Sequence, residues 1–147
     1  MKIICISVGK KHDPELVDAI ARYEKRLQTS CYFSWQIVPS NDKDAESTAI
    51  EKLLGPDDLV ILLDERGLEF TNKQLATSIE RTKNTSVKRI MIIIGGSYGV
   101  NDQLRERSNV VLSLSKLVFP HQIVRLLVVE QLYRAFSILS GSSYHHE

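Results

Sequence analysis

The chain has 147 residues, of which 43% are hydrophobic and 25% charged, and a net charge of +1. That is enough for one domain, over 1–147, to bury its own core, and it excludes a chain disordered by composition. The charge is too balanced for a bulk polyanion binder, although the first 58 residues carry −2 and residues 59–147 carry +3, a mild bias that suits a phosphate backbone and equally arises by chance.

No apolar run approaches the ~18–20 residues that span a bilayer; the richest stretch, 123–129, is broken by Arg125. The apolar start is too short for a secretion signal and lacks a small-residue cleavage site, so a cytoplasmic protein without a membrane segment is expected. Cys5 and Cys31 sit in strand-like runs without CxxC spacing. They read as core thiols, with a disulfide or metal site the minor alternative.

Strand and helix signals alternate along the chain. Lys2–Val8 is an apolar, β-branched strand closed by Gly9. Asp13-Pro14 offers a carboxylate at the N-cap and proline at the first helical position, and Leu16, Val17, Ile20, Tyr23 and Leu27 then recur at helical spacing. Tyr32–Val38 reads as a strand ended by Pro39, and 43–54 as a polar helix stopped by Gly55-Pro56. Residues 59–63 form a continuous apolar strand ending at Asp64. Thr71 caps a helix to about Thr82, Arg89–Ile94 is a second fully apolar strand, and Asp102 starts a short helix. Residues 110–114 form strand five, and a long helix runs from Pro120 to about Leu139, followed by a tail from Gly141. This order predicts an α/β domain with a mainly parallel sheet flanked by helices. The strands without period-two alternation, 59–63 and 90–94, belong at its centre, covered on both faces.

Ligands of open α/β sheets bind at the carboxyl ends of strands. The loops after Leu63, Ile94 and Leu114 are therefore candidates. Gly95-Gly96-Ser97-Tyr98-Gly99 lets backbone amides approach a ligand, yet it is neither a Walker A loop nor a dinucleotide fingerprint; a plain tight turn is an equal reading. Residues 114–121, LSKLVFPH, stay apolar where a loop normally turns polar, which suggests a wall for a flat ligand or a subunit interface. The apolar positions of the helix after Pro120 cover more than one stripe, so one face packs on the sheet and another on a partner, most simply a second copy. His121 and Arg125 share a face four residues apart. Arg125, set among apolar residues, reads as buried, paired with Glu130 or another acid or contacting a phosphate or carboxylate. The tail, Tyr144-His145-His146-Glu147, is not a credible metal set, since adjacent tail residues rarely supply one.

Taken together, the segment LSLSKLVFPHQIVRLLVVEQLYRAFSILSGSSYHHE, the opening KIICISVGK, the LLDERG after strand three and IIIGGSYG resemble, in order and over the whole chain, the RlmH family of bacterial SPOUT-type methyltransferases. The resemblance implies an α/β fold whose C-terminal segment is threaded as a trefoil knot, an exception to unknotted topology. It further implies a homodimer with the knot at its interface, and methyl transfer from S-adenosyl-L-methionine to N3 of a pseudouridine in the 23S rRNA of the assembled ribosome, without a metal. Matching motif positions put the cofactor against Leu63, Gly95, Leu114, Ser115, Lys116, Leu117, Val118 and Phe119. His121, Tyr144 and His145 are then expected to bracket the base, with Arg125 organising the site and the tail folding over the cofactor pocket of the same or the partner subunit. Lys88, Arg89 and Arg105 are offered as a local basic patch on the dimer, with a plain solvated face the more common role for each. One departure stands out: family members often end YHR or YHK, and His146 holds that place here. The other readings are a SPOUT methyltransferase acting on another RNA such as tRNA, and a dimeric nucleotide- or RNA-binding module without transfer activity.

Overall fold

The structure, a computed structural model, describes residues 1–146. Five strands, β1 (Lys2–Val8), β2 (Tyr32–Val38), β3 (Leu59–Glu69), β4 (Arg89–Ile94) and β5 (Val110–Ser113), alternate with α1 (Pro14–Leu27), α2 (Lys43–Glu51), α3 (Asn72–Lys83), α4 (Asp102–Arg107) and α5 (His121–Ser140). The sheet is wholly parallel, in the order β2-β1-β4-β3-β5. Ile92 of β4 stands beside Cys5 of β1 and Ile61 of β3, so the most apolar strand is central, as its unbroken run of Ile and Met requires.

The pleat divides the core in two. Ile3, Cys5, Phe33, Ile90 and Ile92 face Ile20 and Leu27 of α1, Ile79 of α3 and Leu132 and Phe136 of α5. Ile4, Ile6, Met91 and Ile93 face Ile50 of α2 and Leu104 of α4. Both faces are covered, which is why the strands show no polar alternation although successive side chains point to opposite sides. Each fully buried aliphatic side chain contributes about 1.5–3 kcal/mol of transfer free energy. Cys5 and Cys31 are free thiols inside the first of these cores; burial pushes the Cys31 thiol up to about 11, which leaves it protonated and inert at neutral pH.

Helix starts follow their caps. Asp42 accepts from Ala45 N at 2.8 Å, and Thr71 and Gln74 form a reciprocal capping box. Asp13 occupies the N-cap of α1, but its side chain makes no cap bond; instead its backbone N–H donates to Gln122 Oε1 at 2.9 Å. The polar helix expected over 43–54 ends at Glu51, because Leu53 and Leu54 bond to carbonyls only three residues back.

The largest difference from the expected elements is in β3. The strand does not stop at Leu63 but irregularly continues to Glu69, with a register shift between Leu63 and Leu68 that lets the second segment pair again with β5, Leu68 beside Leu112 and Glu69 beside Ser113. The bulge swings the strand away and back. Gly67 permits the return: a Cβ there would stand 2.6 Å from the Val111 carbonyl oxygen. The same bulge aims Asp64, Glu65 and Arg66 at the carboxyl edge of the sheet, where they border a cavity.

Candidate active site

Because all strands are parallel, the ends of β3, β4 and β5 open on one edge, and there they enclose a cavity of about 630 Å³. Its walls bring together the three loops expected from the sequence: Leu63 with 64–66, Gly95 with 96–99, and Leu114, Ser115, Leu117, Val118 and Phe119. The first turn of α5 adds Pro120, His121 and Val124. Lys116 differs from its neighbours; its side chain is absent from the lining and its ammonium lies 3.8 Å from Glu69 Oε1, exposed to solvent.

Local bonds shape each wall. Gly99 N donates to Gly96 O at 3.0 Å, closing a tight turn, and Gly99 leaves it with a positive φ of 75° that glycine adopts freely. Ser113 Oγ donates to Ser115 O at 2.8 Å and Leu117 N to Ser115 Oγ at 3.0 Å, so an apolar loop is held by its two serines. At the rim, Asp64 accepts from the Arg66 backbone (2.8 Å), from Arg66 Nε and Nη2 (3.2 and 3.1 Å), and from Arg105. Burial alone would raise the Asp64 carboxyl; the bonds from Arg66 and Arg105 outweigh it and hold the group well below the usual carboxylate range.

The first turn of α5 is bolted to the β1–α1 loop. Gln122 Nε2 donates to Lys11 O (3.3 Å) and its Oε1 accepts from Asp13 N (2.9 Å). Arg125 is fully buried and donates to Ser7 Oγ (2.8 Å), the Val8 carbonyl (3.2 Å) and His12 Nδ1 (3.2 Å). An arginine can only donate, so His12 accepts on Nδ1 and carries its proton on Nε2. The pairing of Arg125 with Glu130 foreseen from the sequence does not form: Glu130 is one turn further along and is taken by Arg134, at 2.6 Å from Nη2. Arg125 also lies outside the cavity lining; it fixes the loop beside His121.

Tyr144 and His145 lie elsewhere on this chain. The tail runs back along α5: the Tyr144 hydroxyl is 3.3 Å from that of Tyr23 and 3.2 Å from Glu130 Oε1, its ring packs edge-on against Tyr133 and under Arg134, and His145 Nδ1 is 3.2 Å from Arg134 Nη1. Burial, then Tyr23 and Glu130, push the Tyr144 phenol up, so it stands as a hydroxyl. Position 133 is about 18 Å along the helix axis from His121 at ~1.5 Å per residue. His121 and this tail therefore do not meet within one chain.

Of the basic patch, Arg105 alone is near the cavity. Arg89 begins β4 at the opposite edge of the sheet and is locked to Asp58 (2.8 and 2.5 Å) and near Leu53 O, with Lys88 just before it. Sequence reasoning missed Arg66, Val124, His12 and Ser7, and named Tyr98 only as part of the glycine turn. The alternation of Asp64 and Arg66 on one face of an extended segment was the only available signal for the first. Among the described residues no group of three or more His, Cys, Asp or Glu is placed to hold a metal ion, and no helix is long and apolar enough to cross a membrane.

The edge-of-sheet cavity, a glycine turn and an apolar loop leading into a long helix define an α/β protein built to hold a small, partly flat ligand. Residues 1–145 match the model of a family described as predicted SPOUT methyltransferase. Similar relatives include the ribosomal RNA large subunit methyltransferase H of Parabacteroides distasonis, 38% identical with both chains covered end to end. A putative RNA methyltransferase of Arabidopsis thaliana is also 38% identical, over 99% of this chain and 80% of that one. Among solved structures, a probable methylase family protein from Haemophilus influenzae is similar in fold (TM-score 0.57, 17% identity, 99% of this chain and 70% of the other). So is the SpoU methyltransferase AviRb of Streptomyces viridochromogenes, solved in complex with the cofactor AdoMet (TM-score 0.50, 11% identity, 96% and 61%). The chain belongs to the SPOUT methyltransferases and, within them, to the family of ribosomal RNA large subunit methyltransferase H. It is an enzyme of methyl transfer.

Proposed function

We propose that this enzyme methylates N3 of a pseudouridine in 23S rRNA, acting on the assembled ribosome as a homodimer with S-adenosylmethionine as methyl donor. The observation that carries the reading is the cavity at the ends of β3, β4 and β5. Its size falls in the range of small-ligand sites. Its apolar side, Leu114, Leu117, Val118 and Phe119, suits an adenine ring, and its rim carboxylate Glu65 suits the cationic end of such a cofactor. Leu63, Gly95 and 114–119 would hold the donor, with Lys116 contributing backbone only. A threaded, knotted C-terminal segment belongs to this reading.

When bound, the cofactor supplies a methyl activated on a sulfonium. The chain's own task is then positioning and proton handling. N3 of the base carries a proton and is a poor nucleophile until it leaves; His121, at the cavity wall, is placed to accept it or to steady charge on a flanking carbonyl. Arg125 and Gln122 hold the β1–α1 loop against this turn of α5, so Arg125 acts as a positioning residue. The tail packs about three turns from His121 on its own chain, so Tyr144 and His145 would serve the cavity of the second copy. Leu117 and Val118, exposed at the cavity wall, and Ile123, exposed on the first turn of α5, would supply apolar surface for that dimer.

The test uses labelled S-adenosylmethionine with ribosomes, free 23S rRNA and tRNA from cells lacking the enzyme, followed by mapping of the methylated nucleotide. Label on a 23S pseudouridine, only in ribosomes, is the expected result. Label on tRNA or another nucleotide, or cofactor binding without label, overturns it.

A further inference from the structure

Beyond the cofactor cavity, and sharing its rim, lies a second groove of about 580 Å³ lined by Lys43, Arg66, Tyr98, Gly99, Val100, Asp102 and Arg105. It differs from the first in character, with three cations, an aromatic ring and one aliphatic side chain. Asp64 is shared between the Arg66 and Arg105 guanidinium groups, so it orders both while neutralising the charge of one. Lys43, at the first position of α2, makes no ion pair among the described residues. Among the groove's lining residues three cations face a single carboxylate, Asp102, while Asp64 and Glu65 lie on the wall of the neighbouring cavity. Preordered guanidinium groups lose less freedom on binding an anion than free ones do. Tyr98 is 84% exposed at the tip of the Gly96–Gly99 turn, the most exposed large apolar side chain of the described residues, and it stands on the rim common to both cavities.

We propose that this groove seats a nucleotide of the RNA substrate flanking the target, its phosphate held by Lys43, Arg66 and Arg105 and its base stacked on Tyr98. The proposal rests on the reading of the chain as an RNA methyltransferase. A strand that delivers its target base to the first cavity crosses the shared Arg66–Tyr98–Gly99 rim and lays the adjoining nucleotide in the second. Stacking on an exposed aromatic is tolerant of base identity, and phosphate contacts fix register without reading sequence, so the groove positions the strand and does not select it.

Binding of the fluorescently labelled protein to ribosomes from cells lacking the enzyme, measured by anisotropy across a salt series, tests this. Lys43→Ala should weaken binding about five- to tenfold and reduce the slope of log affinity against log salt by about 1. Tyr98→Ala should weaken it about tenfold while Tyr98→Phe restores it. Calorimetry of the Lys43→Ala variant with S-adenosylmethionine should match the unaltered protein. Ribosome affinity and salt slope unchanged in Lys43→Ala, no ribosome binding by the unaltered protein, or a loss confined to S-adenosylmethionine would each overturn the groove. Groove-dependent ribosome binding without any methyl transfer would instead overturn the proposed function and leave the groove standing.

Discussion

His121 and Tyr144 carry different kinds of claim, though the proposed function assigns both to the base. His121 lines the cavity and should be needed for transfer alone: His121→Ala is expected to lose at least ~100-fold in kcat with an unchanged melting temperature, read by label transfer and calorimetry. Tyr144→Ala should lose transfer similarly while cofactor binding persists; full activity in either variant removes that residue from the site. Arg125 is buried against Ser7, the Val8 carbonyl and His12, so Arg125→Ala leaves acceptors unpaired and a hole behind them. The expected cost is about 3 kcal/mol, or a fall in Tm of about 10 °C. His12 links this cluster to pH. Burial, and then the neighbouring Arg125 charge, lower its pKa below the ordinary value. The folded chain therefore binds less proton at His12 than the unfolded chain does. Stability from this residue is present above the unfolded value near 6.5 and is lost as pH falls through the lowered folded value. Melting between pH 7 and 5 should fall more steeply for the unaltered protein than for His12→Gln, and parallel curves would contradict the role.

At the scale of elements, the bulged second half of β3 places half of the site's rim. A Cβ at Gly67 would overlap the Val111 carbonyl, so Gly67→Ala should cost about 1–3 kcal/mol, seen as a lower Tm, and should weaken cofactor binding by displacing Asp64 and Arg66. Intact binding would separate the bulge from the cavity. This element was the least legible from sequence. After Leu63 the apolar run gives way to Asp64-Glu65-Arg66-Gly67, which reads as a loop, because only a partner strand shows that a polar stretch has rejoined a ladder. The five strands and the three cavity loops were legible, since apolar runs, caps and strand-end logic are local properties. The partners of Arg125 were not: Ser7 and His12 are more than a hundred positions away, and an acid four or five residues along the same helix was the nearer guess. Lys88 and Arg89 failed as a patch for a related reason, since the end of the sheet a residue occupies is fixed by topology and not by its charge.

For the whole molecule, an all-parallel sheet collects every strand end on one edge, so the cavity gathers loops separated widely in sequence, while α5 carries the tail away from that edge. The proposed homodimer would resolve the separation, with the exposed Leu117, Val118 and Ile123 covered by the second copy. Light scattering should give about twice the monomer mass of 16.7 kDa. The claim on which the rest depends is that chemistry takes place where the cavity of one copy meets the tail of another. It is tested by combining His121→Ala and Tyr144→Ala subunits in mixed dimers and measuring label transfer to ribosomes. Each variant alone should be inactive. The random mixture should regain about a quarter of normal activity, because half of the dimers are mixed and each has one intact site. A mixture as inactive as its components would contradict the account.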